Sequence, residues 1–293
     1  MSSTGPILLT YDGSPSAAAA IAEAGRLVAS DRAVVCHAWP GPSTPVFRAV
    51  QSARETAAEG ARLAEAAGFE AEPRCVEHAD ETWRAILGCA DEVGASMLVA
   101  GAQGKSGLRR ALLGSVSTGL VHHARVPLLI VPGAVAQAGT GGPLLLCYDG
   151  SELSAGAISA AGKLLAPREA LVLSVWESWV AHAPALAGMS RTVLGMAEEL
   201  DQIADERTTD LEKRGVEVAA LAGFAPRGLS KSAPGSIWRT VLDTGDEHGS
   251  AAIVLGSRGL GGLFAALGSV SNGVVHHSRR PVLVVPAEAA AQP

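Results

Sequence analysis

The sequence predicts an α/β protein made of two tandem, doubly wound parallel-sheet domains related by a pseudo-twofold. Three observations carry this prediction. First, the chain is one unit written twice. ILLTYDGSPSAAAAI near the start matches LLLCYDGSELSAGAI near the middle, with Asp12 and Trp39 facing Asp149 and Trp176 at an offset of 137. WRAIL and LVAGAQG match WRTVL and IVLGSRG at an offset of 155, and GSVSTGLVHHARVPLLIVP matches GSVSNGVVHHSRRPVLVVP at 154. Second, short apolar runs alternate with helical ones within each copy, the pattern of βαβ units. Third, the strands read as continuously apolar, which suits a sheet covered on both faces.

In the first copy a strand at Ile7–Thr10 runs into an Asp-Gly-Ser turn and an alanine-rich helix from about 15 to 29. A second strand spans Ala33–Ala38, followed by a long helix whose later part, about 50–67, is rich in Ala, Glu and Arg. A third strand near 71–76 leads to a helix with Trp83, Ile86, Leu87, Ala90 and Val93 at helical spacing. The fourth strand is Ser96–Ala100. After a glycine loop come a helix from about 115 and a last strand, Pro127–Val131. The second copy repeats this order with about 18 extra residues between Trp176 and Trp238, which read as a charged amphipathic helix extension. The join GAVAQAGTGG is small and glycine-rich, as linkers are. It sets the domains at 1–137 and 138–293.

A chain of 293 residues is long enough for two cores. Its formal charge of −6 disfavours a nucleic-acid partner, whose backbone calls for a basic surface. No apolar run approaches the roughly 20 residues of a membrane span, and the start lacks a basic region followed by a long apolar one. Cys36, Cys75, Cys89 and Cys147 are scattered with no CxxC, and read as reduced, buried thiols. A soluble cytoplasmic protein is expected, with no membrane or nucleic-acid partner.

Ligands of doubly wound sheets sit at the carboxyl ends of the strands, at the topological switch point. The Asp-Gly-Ser turn, the end of the second strand and the glycine loop all gather there. The loop reads Gly101-Ala-Gln-Gly104, then nine residues, then Gly114-Ser115 opening a helix. Glycines let the backbone approach a phosphate and adopt positive φ, and successive amides form an anion nest. Gly114 and Ser115 are expected to offer free amides at a helix N-terminus, where the dipole favours negative charge. GKS within GAQGKSG suggests a P-loop, but that motif needs glycine where Val99 stands, and the second copy has Leu260 and Gly261 for Lys105 and Ser106.

The whole chain resembles the universal stress protein family, as two tandem domains. The YDGS turn, the V-x-G of the fourth strand, the GSVS helix start and the closing P-L-L-I-V-P strand carry the resemblance. The nucleotide-binding members of that family have G-2x-G-9x-G-[ST], which residues 101–115 fit. The resemblance implies a Rossmann-like fold of the adenine nucleotide alpha hydrolase type, and ATP, with or without Mg²⁺, as the ligand. It implies that Asp12 and Asp149 lie close to adenosine and that the backbone of Ala38 and of Val175 meets adenine. It gives ribose and phosphate contacts to Gly101, Gly104, Gly114, Ser115 and Val116, and to Gly256, Gly259, Gly268, Ser269 and Val270. Ser117 and Ser271 follow as side-chain donors. Family members pair through their last strands, so the two copies are expected to pair within the chain, with a homodimer left open.

The second copy departs from the pattern. Eight residues separate Gly259 from Gly268, and Phe264 and Ala265 face Arg109 and Arg110. The first copy has Gln103 where the second has Arg258. The first site is therefore expected to hold a triphosphate better. Simpler roles stand beside these. Asp12 and Asp149 suit helix caps, Trp39 and Trp176 suit packing, and Arg109 and Arg110 suit a solvated face. The pairs His122-His123 and His276-His277 point about 100° apart on a helix and cannot chelate one ion together. No nucleophile–base constellation and no SGGxDS or HxGH motif is present. The expected role is a stress-response nucleotide binder that senses or regulates. The alternatives are a slow ATPase or adenylate-handling enzyme, and a structural pair with vestigial sites.

Overall fold

A computed structural model describes residues 5–41, 46–104, 113–133, 141–180, 191–258 and 267–291. The first half contains β1 (Ile7–Thr10), α1 (Pro15–Leu27), β2 (Arg32–Pro40), α2 (Val46–Ala66), β3 (Glu70–His78), α3 (Thr82–Val93), β4 (Met97–Gly101), α4 (Ser115–His123) and β5 (Leu128–Val131). The second contains β6 (Leu144–Cys147), α5 (Glu152–Leu164), β7 (Glu169–Glu177), α6 (Arg191–Leu221), β8 (Ala225–Ala233), α7 (Ile237–Glu247), β9 (Ala252–Gly256), α8 (Ser269–His277), β10 (Val282–Val285) and the short α9 (Ala287–Ala290). The expected division at 137/138 lies outside the described residues.

Local chemistry sets the helix ends. Ser14 and Ser151 cap α1 and α5, each side chain accepting an amide proton three residues on. Pro15 then starts α1, where its missing N–H costs nothing. Gly94 closes α3 in the left-handed region at φ 60°. The insertion makes α6 31 residues long against 21 in α2.

The strands form one ten-stranded sheet in the order β3-β2-β1-β4-β5-β10-β9-β6-β7-β8. All neighbours are parallel except β5 and β10, which run antiparallel with Ile130, Leu129 and Leu128 facing Val282, Leu283 and Val284. The expected pairing of the last strands is therefore present. Through it the two parallel sheets join into one mixed sheet, palindromic about its centre. On one face, Ile7, Leu9, Val99, Leu129, Leu283 and Val285 pack with α1, α2, α5 and α6 in a single buried cluster. On the other, Leu8, Leu98, Leu128, Ile130, Val282 and Val284 pack with α3, α4, α7 and α8. Both clusters cross the seam, so the halves share their cores. Residues between the helices reinforce it, with Ala29 N–H donating to Leu164 O and Ala166 N–H to Leu27 O.

Continuous apolarity holds for the inner strands and fails at the two edges. β3 reads EAEPRCVEH and β8 reads APRGLSKSA, each with a proline that an edge strand tolerates. Polar edges and prolines also oppose pairing with other chains. No helix among the described residues is long and apolar enough to cross a membrane.

Candidate functional site

At the carboxyl end of the first half, β1, β2 and β4 diverge around a cavity of about 300 Å³. Asp12, Ala38, Gly101, Gly104, Gly114, Ser115, Val116 and Ser117 all border it, so every first-copy position named from sequence is brought together. Thr10, Tyr11, Ala17, Cys36, Thr82, Ile86, Ala100 and Gln103 complete the wall.

The turn after β1 aims Asp12 into this space. Gly13 takes φ 82° and Gly150 in the second copy φ 84°, a conformation that a side chain would strain. Asp12 Oδ1 accepts from the Ser14 amide at 2.9 Å, and Asp149 Oδ1 accepts from the Ser151 amide at 3.0 Å and its hydroxyl at 2.6 Å. The expected capping role thus passes to Ser14 and Ser151, while Asp12 and Asp149 hold the amide of the turn before the helix, and Asp12 also borders the cavity. Beside it, burial and then the Glu59 carboxylate raise the pKa of the Tyr11 hydroxyl, which stays protonated at neutral pH.

The glycine arc differs from expectation in three respects. The Gly114 amide is not free, because it donates to Ala102 O at 2.8 Å, and Gly268 donates to Ser257 O at 2.7 Å. These bonds clamp the ends of each arc together, and Gly114 and Gly268 act as N-cap residues in extended conformation. The amides left without an intrahelical acceptor are those of the first helical turn, Ser115, Val116 and Ser117. Second, the side chains of Ser117 and Ser271 are committed. Each hydroxyl donates its proton to a strand-end carbonyl, Gly101 O at 2.7 Å and Gly256 O at 2.8 Å. They lock helix to strand and have no second proton for a ligand.

Third, neither Gly101 nor Gly104 adopts positive φ, and what marks each is the close approach of a neighbour. A Cβ on Gly101 would come within 2.8 Å of Ser16 Oγ, and one on Gly104 within 2.9 Å of Asp12 Oδ2. Gly104 thus lies directly over the carboxylate.

Thr82 and Ile86 were not foreseen. They sit one helical turn apart on α3, which packs against β2 through Ile86 and Cys89. Period analysis marks Ile86 as core, and only the crossing of α3 over the strand ends turns it toward the cavity.

The second half keeps the frame and changes the wall. Val175 stands for Ala38, Leu173 for Cys36 and Ile237 for Thr82, so the corresponding surface is bulkier and less polar. Leu211 of α6 leans against Gly150 beside Asp149. Gly256 ends β9, Gly268 caps α8, and Ser269, Val270 and Ser271 form its first turn. Gly259 lies outside the described residues, as do Lys105, Arg109, Arg110, Phe264 and Ala265. Arg258 borders a separate cavity of about 290 Å³ at the junction of the halves, with His122, Arg125 and Glu288.

The histidine pairs have a packing role in part. His123 stacks on Trp83 at 4.3 Å between ring centroids, and His277 on Trp238 at 4.7 Å. Burial, then His277 and His122, lower the pKa of His276. Among the described residues no cluster of three metal-ligating side chains occurs.

A sequence model of the Universal stress protein family matches residues 4–132 and again 142–286. A universal stress protein of Mycobacterium tuberculosis H37Rv is 33% identical over 199 residues, 65% of this chain and 61% of that protein, so the chain spans less than two thirds of its length. The universal stress protein YxiE of Bacillus subtilis is 32% identical over 149 residues, 48% of this chain and 97% of its own. The crystal structure of a universal stress protein from Archaeoglobus fulgidus DSM 4304 superposes with a TM-score of 0.66 at 22% identity, over 97% of this chain and 99% of that one, a likeness of fold.

Proposed function

The chain belongs to the universal stress protein family, and from that premise we propose that its first half binds an adenine nucleotide, ATP, and that the protein acts as a stress-response sensor or regulator. The observation that carries this reading is the single cavity on which Asp12, Ala38, the glycine arc and the first turn of α4 converge. Its volume of about 300 Å³ is at the lower end of ligand pockets, which suits a nucleoside inside and phosphates along the open arc.

In this reading Asp12 accepts hydrogen bonds from the ribose, and the Ala38 backbone faces the base edge. The amides of Ser115, Val116 and Ser117 meet the phosphates with the positive end of the α4 dipole behind them. Asp12 is the only carboxylate on the described wall. One carboxylate with phosphate oxygens and water is a fitting donor set for Mg²⁺, which would screen phosphate charge there. Among the described residues the wall pairs no general base with a nucleophile, and the reading is one of holding and releasing nucleotide. The second half, with Val175, Ile237 and the shorter arc, is the weaker site. The reading sets the protein in the cytoplasm, which four free cysteines support. It needs no homodimer, since β5 and β10 already pair within the chain.

Calorimetric titration of the full chain, stripped of nucleotide, tests this. The expected result is one dominant adenine-nucleotide site per chain, lost in Asp12→Ala and kept in Asp149→Ala. No binding and no ATP-dependent thermal shift overturns the reading, and steady ATP turnover abolished by Asp12→Ala moves the protein to the enzyme class.

A further inference from the structure

Thr82 opens α3 and borders the cavity at the carboxyl ends of β1, β2 and β4. Its Oγ1 lies 3.1 Å from Nε2 of His78, the last residue of β3. The other ring nitrogen, Nδ1, lies 3.0 Å from the backbone oxygen of Asp80. The imidazole is thus held between a carbonyl and a hydroxyl of the segment that leads from β3 into α3. His78 pairs with Pro40 in the parallel register, two residues beyond Ala38, so this arrangement stands on the same flank of the cavity as the Ala38 backbone.

The two bonds assign the direction of each proton. A carbonyl oxygen only accepts, so Nδ1 carries the ring proton and donates it to Asp80 O. In the neutral imidazole Nε2 is then an acceptor, and Thr82 Oγ1 donates its single proton to it. The hydroxyl has only lone pairs left. Toward a ligand Thr82 is therefore an acceptor, with no proton for a ligand oxygen.

The second copy supplies an internal contrast. Ala233 and Ile237 stand where the first copy has His78 and Thr82. The helix α7 starts at Ile237 all the same, so the hydroxyl–imidazole bond is not needed to begin a helix here. It belongs to the half that has the cavity described above.

We propose that Thr82 is a specificity residue that accepts a hydrogen bond from the exocyclic amino group of a 6-aminopurine, with His78 as the positioning residue that keeps it an acceptor. The inference rests on the adenine-nucleotide reading and names the feature of the base that the site selects. An amine at position 6 of the purine donates to the free lone pairs of Oγ1. A 6-oxo group is itself an acceptor, so two acceptors would face each other with no proton between them and both would lose hydration.

Calorimetric titration of the full chain at about pH 8 tests this, with ATP, inosine triphosphate and purine riboside triphosphate as probes. The last has hydrogen in place of the amino group. Thr82→Val keeps the side-chain shape and removes the oxygen. It is expected to weaken ATP about three- to tenfold and to leave purine riboside triphosphate unchanged. Thr82→Ser keeps the parent's preference. His78→Ala frees the hydroxyl proton to turn toward the ligand and is expected to narrow the preference for ATP over inosine triphosphate about threefold or more. A disturbed fold would weaken all three ligands alike and does not give that pattern. Equal losses of ATP and purine riboside triphosphate in Thr82→Val, or no loss of either, overturn the proposal and leave the nucleotide reading standing. If the parent chain binds none of the three, that reading falls and this inference falls with it.

Discussion

Leu129 of β5 lies directly opposite Leu283 of β10 in the antiparallel register, and both are fully buried. Both side chains belong to the cluster that also receives α1 and α5. This pair is where two repeats become one sheet, and it makes the tandem arrangement structural. Leu129→Ala and Leu283→Ala are each expected to cost about 2–5 kcal/mol through lost burial and a residual cavity. The double variant is expected to depart from additivity by about 0.5–3 kcal/mol, since the residues touch. Urea unfolding of the four forms measures both quantities, and strict additivity would show that the halves are stabilised independently.

Asp12→Ala is expected to weaken ATP at least about tenfold, or about 1.4 kcal/mol, because a charged hydrogen-bond acceptor is removed from the cavity. Asp149→Ala leaves the dominant site unchanged. Fluorescence or calorimetric titration separates the two, and equal losses would count against the asymmetry between the halves.

Gly104→Val brings a side chain onto the Asp12 carboxylate, 2.9 Å from the new Cβ. ATP affinity is expected to fall about tenfold or more. The melting temperature should hold, since Gly104 is exposed and no core packing is disturbed. Lys105→Ala, by contrast, is expected to change affinity no more than about two- to threefold, as for ordinary surface changes, because the matching residue of the second copy is Leu260. A larger loss for Lys105→Ala than for Gly104→Val would restore the P-loop reading.

Cys147 is partly buried as a residue, but burial of its thiol, reinforced by Asp149, pushes its pKa up to about 12. Below the ordinary thiol value of about 8.5 both folded and unfolded chains hold the proton, and this stability is fully present. Above that value the unfolded chain loses its proton first, so the folded state loses about 1.4 kcal/mol per pH unit until about 12. Cys147→Thr, which copies Thr10 of the first half, removes this dependence. Relative to the parent, the variant should gain roughly 2 kcal/mol between pH 8.5 and pH 10. Urea midpoints at the two pH values check it, and a constant difference refutes it.

Much of the fold was legible because its signals are local. Ile7–Thr10 coincides with β1, and Ser14-Pro15 marks the start of α1 through cap chemistry alone. The positions around the cavity were legible for the same reason, since turn glycines and helix starts announce strand ends. Thr82 was not, because it is an exposed-looking helix start until α3 crosses the strand ends. The free amide expected at Gly114 was not either, because its acceptor, Ala102 O, lies across the loop.

By itself the sequence determined that there are two copies, that each is a βα alternation, and where in each copy the glycine arc lies. These depend on periodicity, turn chemistry and repetition, all read within a few residues. Only the tertiary structure decided that β5 and β10 join the copies into one sheet, that Ser117 locks Gly101 instead of offering its proton, and that Gly114 donates to Ala102 O. Each of these is a contact between residues far apart in the chain, chosen by how packed elements cross and by which buried polar groups must find partners. The eye falls on GKS in GAQGKSG, but Gly101, Gly104 and the first turn of α4 are what border the cavity.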